Sequence, residues 1–183
     1  MIPSAGEAVA LHRKYGSSET IVEHCRTVAA VAGVLVDAFR ARGVEVDERA
    51  VAAGAMLHDI GRSKVQTFRH GLEGAEIIHR EGVDTKVVEI VRRHVGAGIS
   101  PVEAKSLGLP PFDYIPRTLE ERIVCFADKM VDSTRVRPFE KEVQRFVAKG
   151  HDVNRLRALK KSLEEELGED PETLVLEKLK ATP

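Results

Sequence analysis

The helical spacing of apolar residues is the feature that most limits what this chain can fold into. From position 21 to position 39, apolar side chains recur every three or four residues and so lie on one face of a long helix: Ile21, Cys25, Val28, Ala32, Leu35, Val36 and Phe39. Other segments share this period, and no run alternates apolar and polar residues with β-branched enrichment between turns. The sequence therefore predicts an all-α protein.

Capping residues locate the predicted helix boundaries. Each of six helices begins after a side chain that can accept a hydrogen bond from the first turn: Ser4, Ser18, Asp47, Asp84, Ser100 and Thr118. Another helix is predicted over 72–80. Glycine suits the helix ends, and Gly61 is predicted to stop the third helix. The helix after Thr118 is expected to continue through Val131.

The pattern changes beyond Pro138, where the chain becomes highly charged and amphipathic. We predict a domain over residues 1–137 and a helical appendage over 138–183 that packs on the core or on a partner subunit, with no side chains that suggest chemistry. The exposed leucines expected in the appendage make a homodimer reasonable.

Charge and composition exclude some functional classes. The 28 Lys and Arg nearly balance the 29 Asp and Glu, and two Tyr and six Phe are the only aromatic residues. Nucleic acid is therefore an improbable ligand except as substrate ends. No apolar run approaches the roughly 20 residues that span a bilayer, so we expect a cytoplasmic protein. Two buried cysteines, Cys25 and Cys125, are too few for a disulfide framework.

Six residues form a candidate metal centre: His24, His58, Asp59, His70, His94 and Asp128. Imidazole and carboxylate groups suit divalent iron, manganese, nickel, cobalt or zinc. Adjacent residues on a helix point about 100° apart, so His58 and Asp59 can reach one ion only near a helix end. Taken singly, each of these residues is more often a core histidine, a helix-end polar group or an ion-pair partner.

The order and spacing of these residues resemble those of the HD-domain superfamily of metal-dependent phosphohydrolases. His24 and His58 are 34 residues apart, Asp59 and Asp128 are 69 apart, and the sequence from His58 to Gly61 is similar to the family's HDIG variant. The resemblance is strongest over 18–135 and implies a helical bundle with a divalent metal on His24, His58, Asp59 and Asp128. A second ion would use His70 and His94, with Asp59 as the bridge.

The resemblance also implies hydrolysis of a phosphomonoester or phosphodiester of a small, nucleotide-like substrate. Asp59 and Asp128 are the expected catalytic residues. Asp132, one helical turn beyond Asp128, is a candidate for orienting the attacking water. Four cations beside the ligands are candidates for substrate-phosphate contacts: Arg62, Lys64, Arg93 and Lys129.

The sequence does not determine the identity of the substrate. Nucleotidases of the superfamily carry an acidic residue where this chain has Arg62, whereas the run over 54–62 is similar to an archaeal group that includes a phosphodiesterase for a 2′,3′-cyclic phosphate of dihydroneopterin. Two alternative functions remain. The chain could be a non-catalytic module that binds nucleotides or a partner protein, or a di-iron oxygenase on the same fold.

Overall fold

The computed structural model describes residues 1–180, which are mainly helical. The helices are α1 (Ala5–Tyr15), α2 (Glu19–Ala41), α3 (Glu48–Leu57), α4 (His70–Arg80), α5 (Thr85–Arg93), α6 (Pro101–Ser106), α7 (Leu119–Lys129), α8 (Phe139–Ala148), α9 (Asn154–Leu167) and α10 (Pro171–Lys180). A 3-10 turn covers Ile60–Ser63, and β1 (Val131–Asp132) pairs antiparallel with β2 (Arg135–Val136). The all-α prediction is confirmed.

The predicted caps begin their helices. Ser4, Ser100 and Thr118 each form a reciprocal capping box with a glutamate three residues later. Ser18 and Asp47 accept hydrogen bonds from the first turns of α2 and α3. Local side-chain chemistry therefore determines where these helices start.

Helix α2 is the central element of the bundle, as its long apolar stripe predicts. Val28, Ala32, Leu35 and Phe39 are fully buried, and α2 packs against α3, α7 and α10. Helix α5 packs against α3, and α4 packs against α5 and the 3-10 turn. The candidate ligands lie at one end of this bundle, on helices that the core holds in fixed positions.

Helix α7 is shorter than its sequence predicts. It ends at Lys129, Met130 takes the C-cap position, and Val131 starts a hairpin by pairing with Val136. Asp132 consequently lies exposed in β1, not one helical turn beyond Asp128 on the same face. The prediction that placed Asp132 beside Asp128 on a helix was wrong, because strand pairing replaces the last helical turn.

The predicted appendage forms α8, α9 and α10. Its buried side chains join the same hydrophobic core as the rest of the chain: Phe139, Val143, Leu156, Leu159, Leu163, Leu167 and Val175. Helix α9 packs on α7 and α10 packs on α2. Between residues 138 and 180 the segment thus packs on the core, while the domain boundary at 137 stays a prediction and residues 181–183 lie outside the described part.

None of the helices within residues 1–180 combines the length and the apolar character that crossing a bilayer requires.

Candidate metal centre

Five helices bring the six predicted ligand residues to one place. His24 lies in α2, His58 is the C-cap of α3 with Asp59 directly after it, and His70 begins α4. His94 is the C-cap of α5, and Asp128 lies near the end of α7. Helix ends supply most of these positions, so side chains adjacent in sequence can converge on one point.

One group of ligand atoms comes from His24, His58 and Asp128. The Nε2 atoms of His24 and His58 are 3.3 Å apart. They lie 3.2 and 3.4 Å from Oδ1 of Asp128. These three atoms surround a space of the size that a divalent ion bound by nitrogen and oxygen needs.

A second group lies beside the first. The Nε2 atoms of His70 and His94 are 2.9 Å apart, and they lie 3.1 and 3.5 Å from Oδ1 of Asp59. The other oxygen of Asp59, Oδ2, is 3.9 Å from Nε2 of His24 and 3.8 Å from Nε2 of His58. The Asp59 carboxylate therefore stands between the two groups, with one oxygen toward each.

The tautomers of the four histidines follow from their backbone contacts. Each Nδ1 lies 2.7–2.8 Å from a main-chain carbonyl oxygen, which only accepts hydrogen bonds; the carbonyls belong to Ser133, Ala55, Thr67 and Val91. Nδ1–H must then be the donor, which leaves the Nε2 lone pair of the neutral ring for a metal.

The resulting arrangement needs a cation. Neutral rings with these tautomers would point two pairs of Nε2 lone pairs at each other, and Oδ1 of Asp59 is buried without a hydrogen-bond partner. Facing acceptors repel, and an unpaired buried oxygen costs free energy. The residues thus fit one or two divalent metal ions.

Electrostatics keep both carboxylates ionised. Burial acts to raise the pKa of Asp59, but the surrounding imidazoles of His58, His70 and His94 hold it well below its ordinary range. Burial opposes ionisation of Asp128 in the same way, and the neighbouring Lys129 ammonium lowers its pKa well below the usual value. Burial lowers the pKa of His94 to about 4, so this ring is neutral at pH 7. Ionised carboxylates and a neutral imidazole are the states that bind metal.

Gly61 allows the turn after Asp59 to approach α4. A Cβ at Gly61 would lie 2.0 Å from the carbonyl oxygen of His70 and 2.5 Å from the amide nitrogen of Gly74. Its backbone lies within the 3-10 turn and not in the left-handed region. The prediction that Gly61 stops the third helix was wrong, because α3 ends at Leu57 with His58 as its C-cap. Gly61 instead serves the close packing of two ligand-bearing segments.

Five of the six candidate ligand residues, all except His58, line an open cavity of about 360 Å³. Arg62 and Lys129, two of the four predicted phosphate contacts, also line it. Arg62 Nε donates to Oδ2 of Asp59 at 2.6 Å, and Lys129 Nζ contacts Asp128 and donates to the carbonyl of His94 at 3.2 Å. Both cations lie where an anionic group at the metal centre would meet them.

The other two predicted cations lie outside this cavity. Lys64 is exposed and its Nζ is 5.8 Å from the centre of the Tyr15 ring. Arg93 donates to the carbonyls of Asp113 and Ile115 and pairs with Glu89, so it holds a loop in place. The structure does not bring Lys64 or Arg93 to the metal centre. Lys64 instead lies near the Tyr15 ring, and Arg93 binds the loop over 113–115.

The other three histidines and the two cysteines contribute no atom to the two ligand groups. His12 is buried, with Nε2 at 2.7 Å from the carbonyl of Met56, and His79 and His151 are exposed. Cys25 and Cys125 are buried and unpaired with each other. Burial raises the pKa of the Cys125 thiol to about 12.

Beyond residue 131, Asp132 is the one cavity residue that the sequence predicts to be near the site. Ser133 of the hairpin and Glu142, Arg145 and Phe146 of α8 line the cavity. No motif distinguishes these residues from other positions of a charged amphipathic helix, so only the tertiary fold reveals them.

A helical bundle with a histidine–aspartate centre at one end defines the class of this protein. The HD domain family model matches residues 21–131, and the chain belongs to that family. The expectation from the sequence is confirmed.

Several archaeal proteins are similar in sequence. An uncharacterized protein of Methanocaldococcus jannaschii is 42% identical over 153 residues, which cover 76% of this chain and 90% of that protein. The tRNA (cytidine(56)-2′-O)-methyltransferases of Thermoplasma volcanium and Picrophilus torridus are 38% and 37% identical over 93% and 92% of this chain. The chain spans about half the length of each of these two enzymes, 49%.

Solved structures share the fold. The HD domain of the L. monocytogenes phosphodiesterase PgpH superposes with a TM-score of 0.58 at 16% identity, covering 93% of this chain and 97% of that domain. The same domain in complex with cyclic-di-AMP also has a TM-score of 0.58, at 18% identity. The similarity shows that the helical architecture is that of an HD domain.

Proposed function

We propose that this protein is a metal-dependent phosphohydrolase that cleaves a phosphomonoester or phosphodiester of a small, nucleotide-like substrate. The observation that carries the proposal is the pair of ligand groups joined by Asp59, with Nε2 of each histidine free to coordinate. The cavity above them is open to solvent and is lined by three cationic side chains, Arg62, Lys129 and Arg145. This combination suits an anionic substrate whose phosphate reaches the metal centre.

Divalent ions at this centre would polarise a phosphate oxygen and lower the pKa of a bound water from 15.7 toward about 7. Arg62 and Lys129 are placed to bind the remaining phosphate oxygens. Asp59 and Asp128, both ionised, are the acidic groups nearest the reaction and are the proposed catalytic residues. The backbone carbonyls behind the four rings keep each Nε2 in position.

The cavity suits a small molecule that carries a phosphate. Its volume of about 360 Å³ lies in the range of small-ligand sites. A related fold binds cyclic-di-AMP, a phosphorylated nucleotide, in the PgpH domain. A 2′,3′-cyclic phosphate is a substrate of the same chemical class and is included among our candidates.

The direct test measures bound metal and phosphoester hydrolysis in the purified protein. Bis-p-nitrophenyl phosphate, p-nitrophenyl phosphate, nucleoside monophosphates and 2′,3′-cyclic nucleotides are assayed with manganese, iron(II), nickel or cobalt. We expect metal-dependent hydrolysis of at least one ester and its loss in Asp59→Asn. The matched control is Asp37→Asn, which changes an exposed carboxylate of α2.

Other outcomes identify the alternatives. Bound metal with no hydrolysis, together with nucleotide binding, would favour the regulatory module. A di-iron absorption spectrum with oxygen consumption would favour the oxygenase. Absence of bound metal under all these conditions would contradict the metal centre itself.

The methyltransferase relatives favour a second candidate, namely action on RNA. Nearly the whole chain matches half of each of these tRNA-modifying enzymes. A 2′,3′-cyclic phosphate also occurs at RNA ends, so the same chemistry extends from a nucleotide to an RNA terminus. Release of phosphate or ring opening on an oligoribonucleotide ending in a cyclic phosphate, with no activity on the free nucleotide, would support this candidate.

A further inference from the structure

One wall of the metal cavity comes from outside the part of the chain that matches the HD domain family. The match ends at residue 131, yet Glu142, Arg145 and Phe146 of α8 line the cavity together with the metal ligands. The hairpin that leads into α8 also contributes Asp132 and Ser133. A segment that follows the family match therefore shapes the site in this chain.

The α8 wall adds a third cation and a phenylalanine ring to the cavity. Arg145 is 56% exposed at its side chain, and its guanidinium is bonded to Glu142 Oε1 at 2.8 Å. Glu142 is itself only 11% exposed at its side chain, which fixes the position of the pair. Phe146 is half-buried and is the one phenylalanine on the cavity wall within residues 1–180.

Charged side chains also line the surface next to the α8 wall. A second depression of about 250 Å³ shares Lys129, Glu142 and Arg145 with the metal cavity and adds Arg137 and Lys141. The surface leading away from the metal centre thus carries several cations. An anionic substrate larger than a simple phosphate ester would meet them.

We propose that α8 is the specificity wall of the site, where Phe146 stacks on the base of a nucleotide whose phosphate lies at the metal centre and Arg145 contacts a second anionic or polar group of that nucleotide. The inference rests on the proposed function. An aromatic ring suits any base, because every base presents a π face, and a guanidinium suits phosphate oxygens. Simple esters without a base would not use this wall.

The test compares a nucleotide with a simple ester in the same variants. Phe146→Leu keeps an apolar side chain in the core but removes the ring, Phe146→Tyr keeps a ring, and Val147→Ala changes an exposed neighbour on α8 as the control. Binding of a nucleoside monophosphate to the manganese-loaded protein is measured by calorimetry, and KM and kcat are measured for 2′,3′-cyclic nucleotides and for glycerol 1,2-cyclic phosphate, a cyclic phosphodiester without an aromatic ring.

We expect Phe146→Leu to weaken nucleotide binding and raise the KM for the nucleotide by about fivefold or more, as loss of base stacking does elsewhere. Arg145→Ala should also weaken nucleotide binding, because it removes a charge-assisted hydrogen bond. Manganese content should stay at the wild-type level, the KM for glycerol 1,2-cyclic phosphate should rise by less than the KM for the nucleotide, and Phe146→Tyr should retain nucleotide binding. Unchanged nucleotide affinity in both variants would overturn the proposal while the hydrolase stands. If the wild-type protein hydrolyses neither ester, the hydrolase proposal is refuted, and calorimetry still tests the role of α8. If the wild-type protein binds no nucleotide, the proposal for α8 is overturned.

Discussion

At the scale of single residues, close packing and ligand geometry depend on each other. Gly61 lies between the carboxylate of Asp59 and the first turn of α4, which begins with His70. Its missing side chain lets two ligand-bearing segments touch. A glycine in this motif therefore affects the metal centre without contacting it.

Gly61→Ala should damage both the stability and the metal centre. Its Cβ would overlap main-chain atoms of α4, which cannot move aside as a flexible side chain can. We expect a loss of about 1–3 kcal/mol in the free energy of unfolding, together with weaker manganese binding. Chemical denaturation and calorimetric metal titration measure the two effects.

Gly33→Ala is the matched control for this change. Gly33 lies on the exposed side of α2, and nothing stands within 4 Å of where its Cβ would be. A helix-interior Ala should raise the free energy of unfolding by about 0.5–1 kcal/mol and leave metal binding unchanged. Equal effects of the two substitutions would contradict the packing role of Gly61.

The ligand residues could be predicted from the sequence because their chemistry and order are distinctive. Residue type and spacing identify His24, Asp59 and Asp128 without knowledge of the fold. It was harder to predict which cations reach the cavity, because Lys and Arg have long side chains whose direction depends on neighbouring groups. Arg62 turns toward Asp59, whereas Arg93 satisfies carbonyls of a distant loop.

At the scale of elements, capping residues determine where most helices start, whereas strand pairing shortens the C-terminal end of α7. Capping residues predicted the starts of α1, α2, α3 and α7. The hairpin after α7 was missed because two-residue strands are too short to show alternation, and the residue in its turn, Ser133, has a φ of +56°. The carbonyl of that turn accepts from His24, so the missed element positions a ligand.

Helix α9 belongs to the main core, so truncating one of its buried side chains should destabilise the whole protein. Leu163 is fully buried, so Leu163→Ala should lower the free energy of unfolding by about 2–5 kcal/mol in a single cooperative transition. Leu107→Ala, at a 42% exposed position, should change it by less than about 0.5 kcal/mol. Two separate transitions by circular dichroism would instead show that the last helices unfold independently.

At the scale of the whole molecule, the metal centre connects distant parts of the chain. Its ligands come from α2, α3, α4, α5 and α7, so an ion bound there would link five helices of the bundle. An ion that binds the folded chain and not the unfolded chain stabilises the fold by mass action.

Manganese should therefore raise the melting temperature of the protein. A concentration 100 times the dissociation constant adds about 2.7 kcal/mol to the free energy of unfolding, which for a chain of this size corresponds to a rise of several degrees. Differential scanning calorimetry with and without chelator measures the shift. Asp59→Asn should abolish it, and Asp37→Asn should not; a shift that survives in Asp59→Asn would place the ion elsewhere.

The contact between His24 and Asp128 joins residues 104 positions apart in the chain. Closing so long a loop is slow compared with forming the helices on either side of it. We therefore expect the coordinating groups to come together late in refolding, after the helices between them have docked. The rate at which refolding chains bind manganese, followed in a stopped-flow instrument, would report the rate of the last step of assembly.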